Sequence, residues 1–148
     1  MITMTEQQLK QFTLHAKFCL PEEACALLLG EQTEEGKVIR EVFITENVDH
    51  TNEHFTITPE TQLKAMKYAR SKGWSVLGNI HSHPETPARP SEEDKRLAVD
   101  KRMSYLIVSL AEKQPVCKAF RAAAYASEPE QLNIVKEDTY VWQQIMQH

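Results

Sequence analysis

The chain has 148 residues, 41% hydrophobic and 26% charged, with a net charge of −4 and a pI near 5.9. That length fits a single domain spanning 1–148 that buries a core without disulfide staples, and its acidic balance with scattered Lys and Arg argues against nucleic acid or an anionic membrane as partner. No apolar stretch approaches the ~18 residues needed to cross a bilayer. The first ten residues lack the apolar centre of a secretory signal, and Cys19, Cys25 and Cys117 form no C-x-x-C pair. A reduced, cytoplasmic setting is the expectation.

In chain order, Leu9, Phe12, Ala16, Phe18 and Leu20 recur at roughly helical spacing behind Thr5, an N-cap candidate, so a helix is predicted over 5–19 and stopped by Pro21. Residues 24–29 form a short apolar run closed by Gly30, the pattern of a strand buried on both faces. A turn at Glu34-Glu35-Gly36 leads into a strand over 38–44, which together make a hairpin. Residues 45–53 are polar and loop-like, and 54–58 alternates as a strand. Pro59 opens a helix through Lys72, with Gly73 at its end. A β-branched, apolar strand over 74–80 delivers His81 and His83, and a helix follows from Ser91 to about Lys101. Strands are predicted over 104–110, 116–125 and 132–135, and a short helical tail from Thr139. Helices mixed with strands, without repeats or linkers, define one α/β domain with a mixed sheet.

The densest chemistry lies in His-Ser-His-Pro-x6-Ser-x2-Asp, residues 81–94. On a strand, side chains at i and i+2 share a face, so His81 and His83 reach one metal together. Pro84 and Pro87 end the strand, each removing a backbone donor. Ser91 through Asp94 read as a helix start, with Asp94 in the first turn. Alone, H-x-H reads as two polar residues at a strand end, and Ser-x-x-acid as a capping box. Joined, the five fixed residues arise by chance in on the order of one such sequence in 10^5. Two His and one carboxylate leave a fourth tetrahedral position open, the pattern of a catalytic zinc rather than a structural one, with hydrolysis as the leading chemistry. A carboxylate base is also required. Glu22, Glu23, Glu85, Glu92 and Glu93 are candidates, and spacing does not choose among them.

Glu-x-Cys at 23–25, an apolar strand ending in Gly, and the histidine motif together resemble the JAMM motif of the MPN-plus (JAB1/MPN) metalloproteases, in particular their small stand-alone prokaryotic members. The likeness runs from Pro21 through the strand near Val116. It implies a three-layer α/β/α sandwich related to cytidine deaminases. One Zn2+ per chain would be held by His81, His83 and Asp94. Glu23 would act as general acid/base, and Ser91 would help stabilise the oxyanion. Ala26 stands where the family usually has Gly, and Ile80 where it often has an aromatic.

The resemblance further implies hydrolysis after the C-terminal Gly-Gly of a ubiquitin-like or sulfur-carrier protein, by an isopeptidase or peptidase. Two other readings stand beside it. A non-catalytic MPN scaffold would be expected to have lost ligands, yet all four key positions are present. A zinc hydrolase of a small amide or nucleobase would carry a Cys-x-x-Cys ligand pair, which the chain lacks. His50 and His54 are expected at the surface, and Cys25 and Cys117 in the core, where a thiol behaves as a small hydrophobe. Trp142, Ile145 and Met146 are candidates for a partner or homodimer surface, or for packing on their own domain.

Overall fold

The computed structural model describes residues 1–123 and 126–137, in which helices cover both faces of a mixed sheet. The elements in order are β1 (Ile2–Thr5), α1 (Glu6–Cys19), β2 (Cys25–Thr33), β3 (Gly36–Thr45), α2 (Pro59–Ser71), β4 (Ser75–His83), α3 (Glu92–Leu97), β5 (Ser104–Ser109), β6 (Val116–Ala123), β7 (Ala126–Glu130) and β8 (Leu132–Val135). Among the described residues the strands lie in the order β7-β6-β5-β4-β2-β3-β1-β8. β4 is central, antiparallel to β2 and parallel to β5.

Side-chain alternation along β2 builds the layers. Ala26 and Leu28 face one side and pack with Phe12 and Ala16 of α1. Cys25, Leu27 and Leu29 face the other and pack with Ala65 and Ala69 of α2. A run that is apolar at every position is therefore buried on both faces, as the sequence predicts. The helices start where their caps dictate. Thr5 Oγ1 accepts from Gln8 N–H at 3.0 Å while Gln8 Oε1 accepts from Thr5 N–H at 2.9 Å, a reciprocal capping box. Thr58 caps α2 ahead of Pro59.

The sheet curls until its ends meet. β7 pairs with β6 and β8 pairs with β1, yet only Gln131 separates β7 from β8. At this seam Ser104 Oγ donates to Glu130 Oε1 at 2.7 Å, and Lys37 Nζ donates to Ser104 Oγ at 2.8 Å.

Several sequence-based expectations change. The run at 24–29 does not stop at Gly30 but continues to Thr33, past a bulge where β3 carries an extra residue. An added Cβ on Gly30 would lie 2.0 Å from Val38 O, so this glycine permits close strand approach rather than ending a strand. Residues 54–58 join no ladder: Thr56 N–H is taken by the Asn47 side chain at 3.1 Å. The third helix ends at Leu97 rather than near Lys101, and Asp100 instead bonds Tyr105 and Arg102. β1 and β7 were not expected, since each is short and β7 contains Pro129, admissible only at an edge. Phe18 is 91% exposed because six positions rotate it about 240° from Phe12 on the helix. The strand expected over 116–125 is β6, described to Ala123. The tail from Thr139, with Trp142, Ile145 and Met146, lies outside the described residues.

Gly78 places β4 against β5, because a Cβ there would sit 1.8 Å from Ser104 O and 2.7 Å from Ser104 C. Both are backbone atoms with nowhere to move. Gly78→Ala is expected to cost about 3 kcal/mol, the upper range for overpacking, read as a lowered urea midpoint. Gly73→Ala meets nothing within 4 Å and bears only the strain of φ +77°, about 1–2 kcal/mol. Equal midpoints for the two variants would contradict this account.

Candidate active site

β4 runs through His81 and His83 to its last residue, directly before Pro84. Register puts His81 beside Cys25 on β2 and Ile107 on β5, and His83 beside Ser109. Both imidazoles are buried, at 3% exposure. Ser82 points the other way and stitches β4 to the chain after Glu23: its Oγ accepts from Ala24 N–H at 2.8 Å and its N–H donates to Ala24 O at 3.0 Å. The loop 84–90 is held by Ser109 Oγ, which donates to Thr86 O at 2.6 Å. That loop returns the chain so that α3 begins beside the two histidines.

Three side chains converge there. His81 Nε2 and His83 Nε2 are 3.2 Å apart, and the Asp94 oxygens lie 3.2 Å from the former and 2.9 Å from the latter. The capping-box and metal readings of Ser91 and Asp94 prove compatible. Ser91 Oγ accepts from Asp94 N–H at 3.0 Å, and Ser91 N–H donates to Asp94 Oδ2 at 2.9 Å, which aims the carboxylate at the imidazoles. Ser91 caps α3, and the Asp94 carboxylate both closes the capping box and joins the cluster.

These contacts fit a small cation. Ligands about 2.0–2.1 Å from a tetrahedral ion are separated by about 3.3 Å, close to the spacings found. His83 Nδ1 donates to Pro87 O at 2.9 Å, which leaves Nε2 as a lone pair turned toward the cluster when the ring is neutral. Burial keeps His81 below its ordinary pKa, so its ring stays neutral. Burial lowers His83 as well, but its bonds with Asp94 and Pro87 outweigh that and raise it. Burial would raise the Asp94 carboxyl, yet hydrogen bonds with both imidazoles hold it well below the usual carboxylate range. The Asp94 side chain is 9% exposed.

Of the five candidate bases, Glu23 is the buried one, at 3% exposure. Glu92 and Glu93 pair with Lys95 and Arg96 on the surface, Glu22 pairs with His50, and Glu85 is exposed. Burial raises the Glu23 pKa to about 8, with His83 pulling it down and Asp94 adding to the rise. Its Oε1 is buried without a hydrogen-bond partner. Such an atom is costly unless a ligand or water completes it.

Sequence reasoning missed the residues that hold this arrangement. Asn47 donates from Nδ2 to Glu23 O at 3.0 Å and to His54 O at 3.1 Å, and its Oδ1 accepts from Asp49 and Thr56 N–H. Thus one buried carboxamide ties the loop 48–56 to Glu23. Phe55 stacks on His81 with ring centroids 4.6 Å apart. Only the burial of Asn47 and the ring contact of Phe55, invisible in their sequence context, reveal them. His50 and His54 pair with Glu22, Glu46 and Asp49 at the surface, outside the cluster. Cys25 is buried and hydrogen-bonded to Thr45, its thiol pushed up to about 11, so it stays protonated in the core. Cys117 packs partly buried against the core, its thiol pushed up to about 12. Ala26 and Ile80 face each other across β2 and β4 within the α1-side core, on the sheet face away from the histidines. Their departure from the usual family residues therefore leaves the cluster untouched.

A mixed sheet flanked by helices, with a His-His-Asp cluster at the end of its central strand, defines a JAB1/MPN-type α/β domain. The family model described as prokaryotic homologs of the JAB domain matches residues 5–123, and the chain belongs to that family. A solution structure of a Desulfitobacterium hafniense protein is 46% identical with a TM-score of 0.85, covering 93% of this chain and 94% of that one. The CysO-cysteine peptidase of Mycobacterium tuberculosis is 26% identical over 124 residues, 83% of this chain and 84% of the relative. The desampylase of Pyrococcus furiosus is 35% identical over 72 residues, about half the length of each at 49%. Among the described residues no helix is long and apolar enough to cross a membrane.

Proposed function

We propose that this chain is a zinc-dependent peptidase or isopeptidase that cuts after the C-terminal Gly-Gly of a ubiquitin-like, sulfur-carrier protein. The observation that carries the proposal is Glu23, a buried carboxyl with an unpartnered oxygen that feels the charges of His83 and Asp94. Relatives named CysO-cysteine peptidase and desampylase support this class of substrate.

One zinc per chain would be held by His81, His83 and Asp94, where it would supply Lewis acidity for the scissile carbonyl and lower the pKa of an attacking water. Glu23 takes the proton from that water at a carboxylate oxygen and returns it to the leaving nitrogen. A carboxyl with a pKa raised toward neutrality suits both halves of that transfer. Ser91 Oγ is occupied as an acceptor by Asp94 N–H, but its own hydrogen remains free to donate to the developing oxyanion. Ser82 and Asn47 keep Glu23 in register with the histidines.

The test is intact-mass spectrometry of a sulfur-carrier protein bearing a short peptide beyond Gly-Gly, incubated with the zinc-loaded chain. A mass loss matching cleavage after the second Gly is expected. An intact carrier in the presence of bound zinc would overturn the substrate class, and absence of zinc would turn the reading to a partner-binding scaffold.

A further inference from the structure

A cavity of about 280 Å3 adjoins the cluster, reaching His81 and Asp94 and walled by Leu27, Ile57, Tyr105 and Ile107. In its lining stands Asn79, whose Oδ1 is buried and has no hydrogen-bond partner. Resting on the proposed cleavage after Gly-Gly, we propose that Asn79 sets substrate specificity. A half-turn of its carboxamide brings Oδ1 from its buried position into the cavity. There it accepts the backbone N–H of the substrate residue two positions before the scissile glycine, and that residue's apolar side chain fills the cavity.

The position of Asn79, the length of an extended chain and the lining of the cavity converge. Asn79 lies two residues before His81 on β4, on the same face and roughly 6.6 Å along the strand. An extended substrate advances about 3.3 Å per residue, so a chain whose scissile carbonyl sits at the cluster brings its second residue back to Asn79. With Gly-Gly at the first two positions, that residue is the first to carry a side chain. The cavity is largely apolar, and a second groove shares Leu27, Gln62, Asn79, Leu97 and Tyr105 with it, so an extended tail has room to continue.

Sidedness follows from Glu23. The leaving nitrogen must lie by Glu23 to receive its proton, and Glu23 does not line this cavity. The cavity therefore lies on the acyl side of the scissile bond. Recognition of the substrate backbone by strand addition is closed at β4, because β2 and β5 already pair with both its edges. A side-chain amide, offering a donor and an acceptor, takes over that task. An acceptor left unmade in an apolar pocket discriminates strongly against substrates that cannot complete it.

The experiment uses a fluorescein-labelled peptide ending Leu-Gly-Gly-Ala, and a second in which an ester oxygen replaces the leucine N–H. Binding is read by anisotropy on the zinc-loaded full chain carrying Glu23→Gln, with and without Asn79→Ala, so that no turnover intervenes. The ester is expected to weaken binding about tenfold when Asn79 is present and by less than twofold in Asn79→Ala, the loss of one hydrogen bond. Zinc content and thermal midpoint are expected to stay unchanged. An ester penalty equal in both proteins, or no peptide binding to either, overturns the proposal. Asn79-dependent binding with an uncleaved carrier would sink the cleavage reading alone. Cleavage by Asn79→Ala at the wild-type kcat/KM would sink the role of Asn79 alone.

Discussion

Glu23→Gln is expected to lower kcat by about 10^3-fold, within the range for removing a general acid/base, while zinc stays bound at one per chain. Gln keeps the size of the side chain and its burial, so packing around Ala24 and Asn47 should persist. What it loses is the ability to hold and release a proton. Single-turnover assays beside elemental analysis check both halves, and a wild-type rate with full zinc would remove Glu23 from the mechanism.

The pH dependence follows from the same carboxyl. Its pKa is raised from 4.5 to about 8 by burial, so the unfolded chain gives up this proton more readily than the folded one. As pH rises from about 4.5 to 8, the group therefore costs the folded metal-free protein stability, and below that window the cost vanishes. Activity runs the opposite way, because water activation needs the ionised form and increases with pH through the Glu23 pKa. A cation held by His81, His83 and Asp94 would draw that pKa down. The zinc-loaded enzyme should accordingly show its acid limb below pH 8, and Glu23→Gln should lose that limb from its residual activity.

The parts of this site that sequence revealed are those whose spacing encodes geometry. H-x-H places two rings on one strand face regardless of what surrounds them, and Ser-x-x-Asp at a helix start fixes a carboxylate by local hydrogen bonds. The alternating burial of β2 was likewise readable, because an unbroken apolar run suits a strand covered on both sides. Glu23 was different. Its proposal as the base rests on resemblance, since five glutamates meet the chemical requirement and only burial separates them. Asn47 and Asn79 were illegible for a related reason. A carboxamide's importance lies in whether its partners come from distant segments or are missing, and neither appears in the local pattern. Gly30 misled because a glycine that permits close strand contact looks the same in sequence as one that ends a strand.

Asp94→Ala separates the two tasks proposed for that residue. Losing a direct ligand should weaken zinc binding by more than the 10- to 100-fold typical of a supporting partner, so the purified variant is expected to retain little metal. It also deletes half of the α3 capping box, which costs about 1 kcal/mol, and strips both buried imidazoles of their carboxylate. Ser91→Ala provides the contrast, because it removes the hydroxyl that caps Asp94 N–H but leaves the Ser91 N–H that aims the carboxylate. That variant should keep zinc, lose about 1 kcal/mol of stability, and lose activity only so far as its hydroxyl serves the oxyanion. Asp94→Asn keeps the shape and can still accept from Ser91 N–H, yet lacks the charge that draws a cation between His81 and His83. If zinc affinity in Asp94→Asn matches the wild type while Asp94→Ala loses it, the carboxylate acts by orienting the histidines. If both lose zinc, the negative charge that Asp94 holds 2.9 and 3.2 Å from the imidazole nitrogens is what retains the metal.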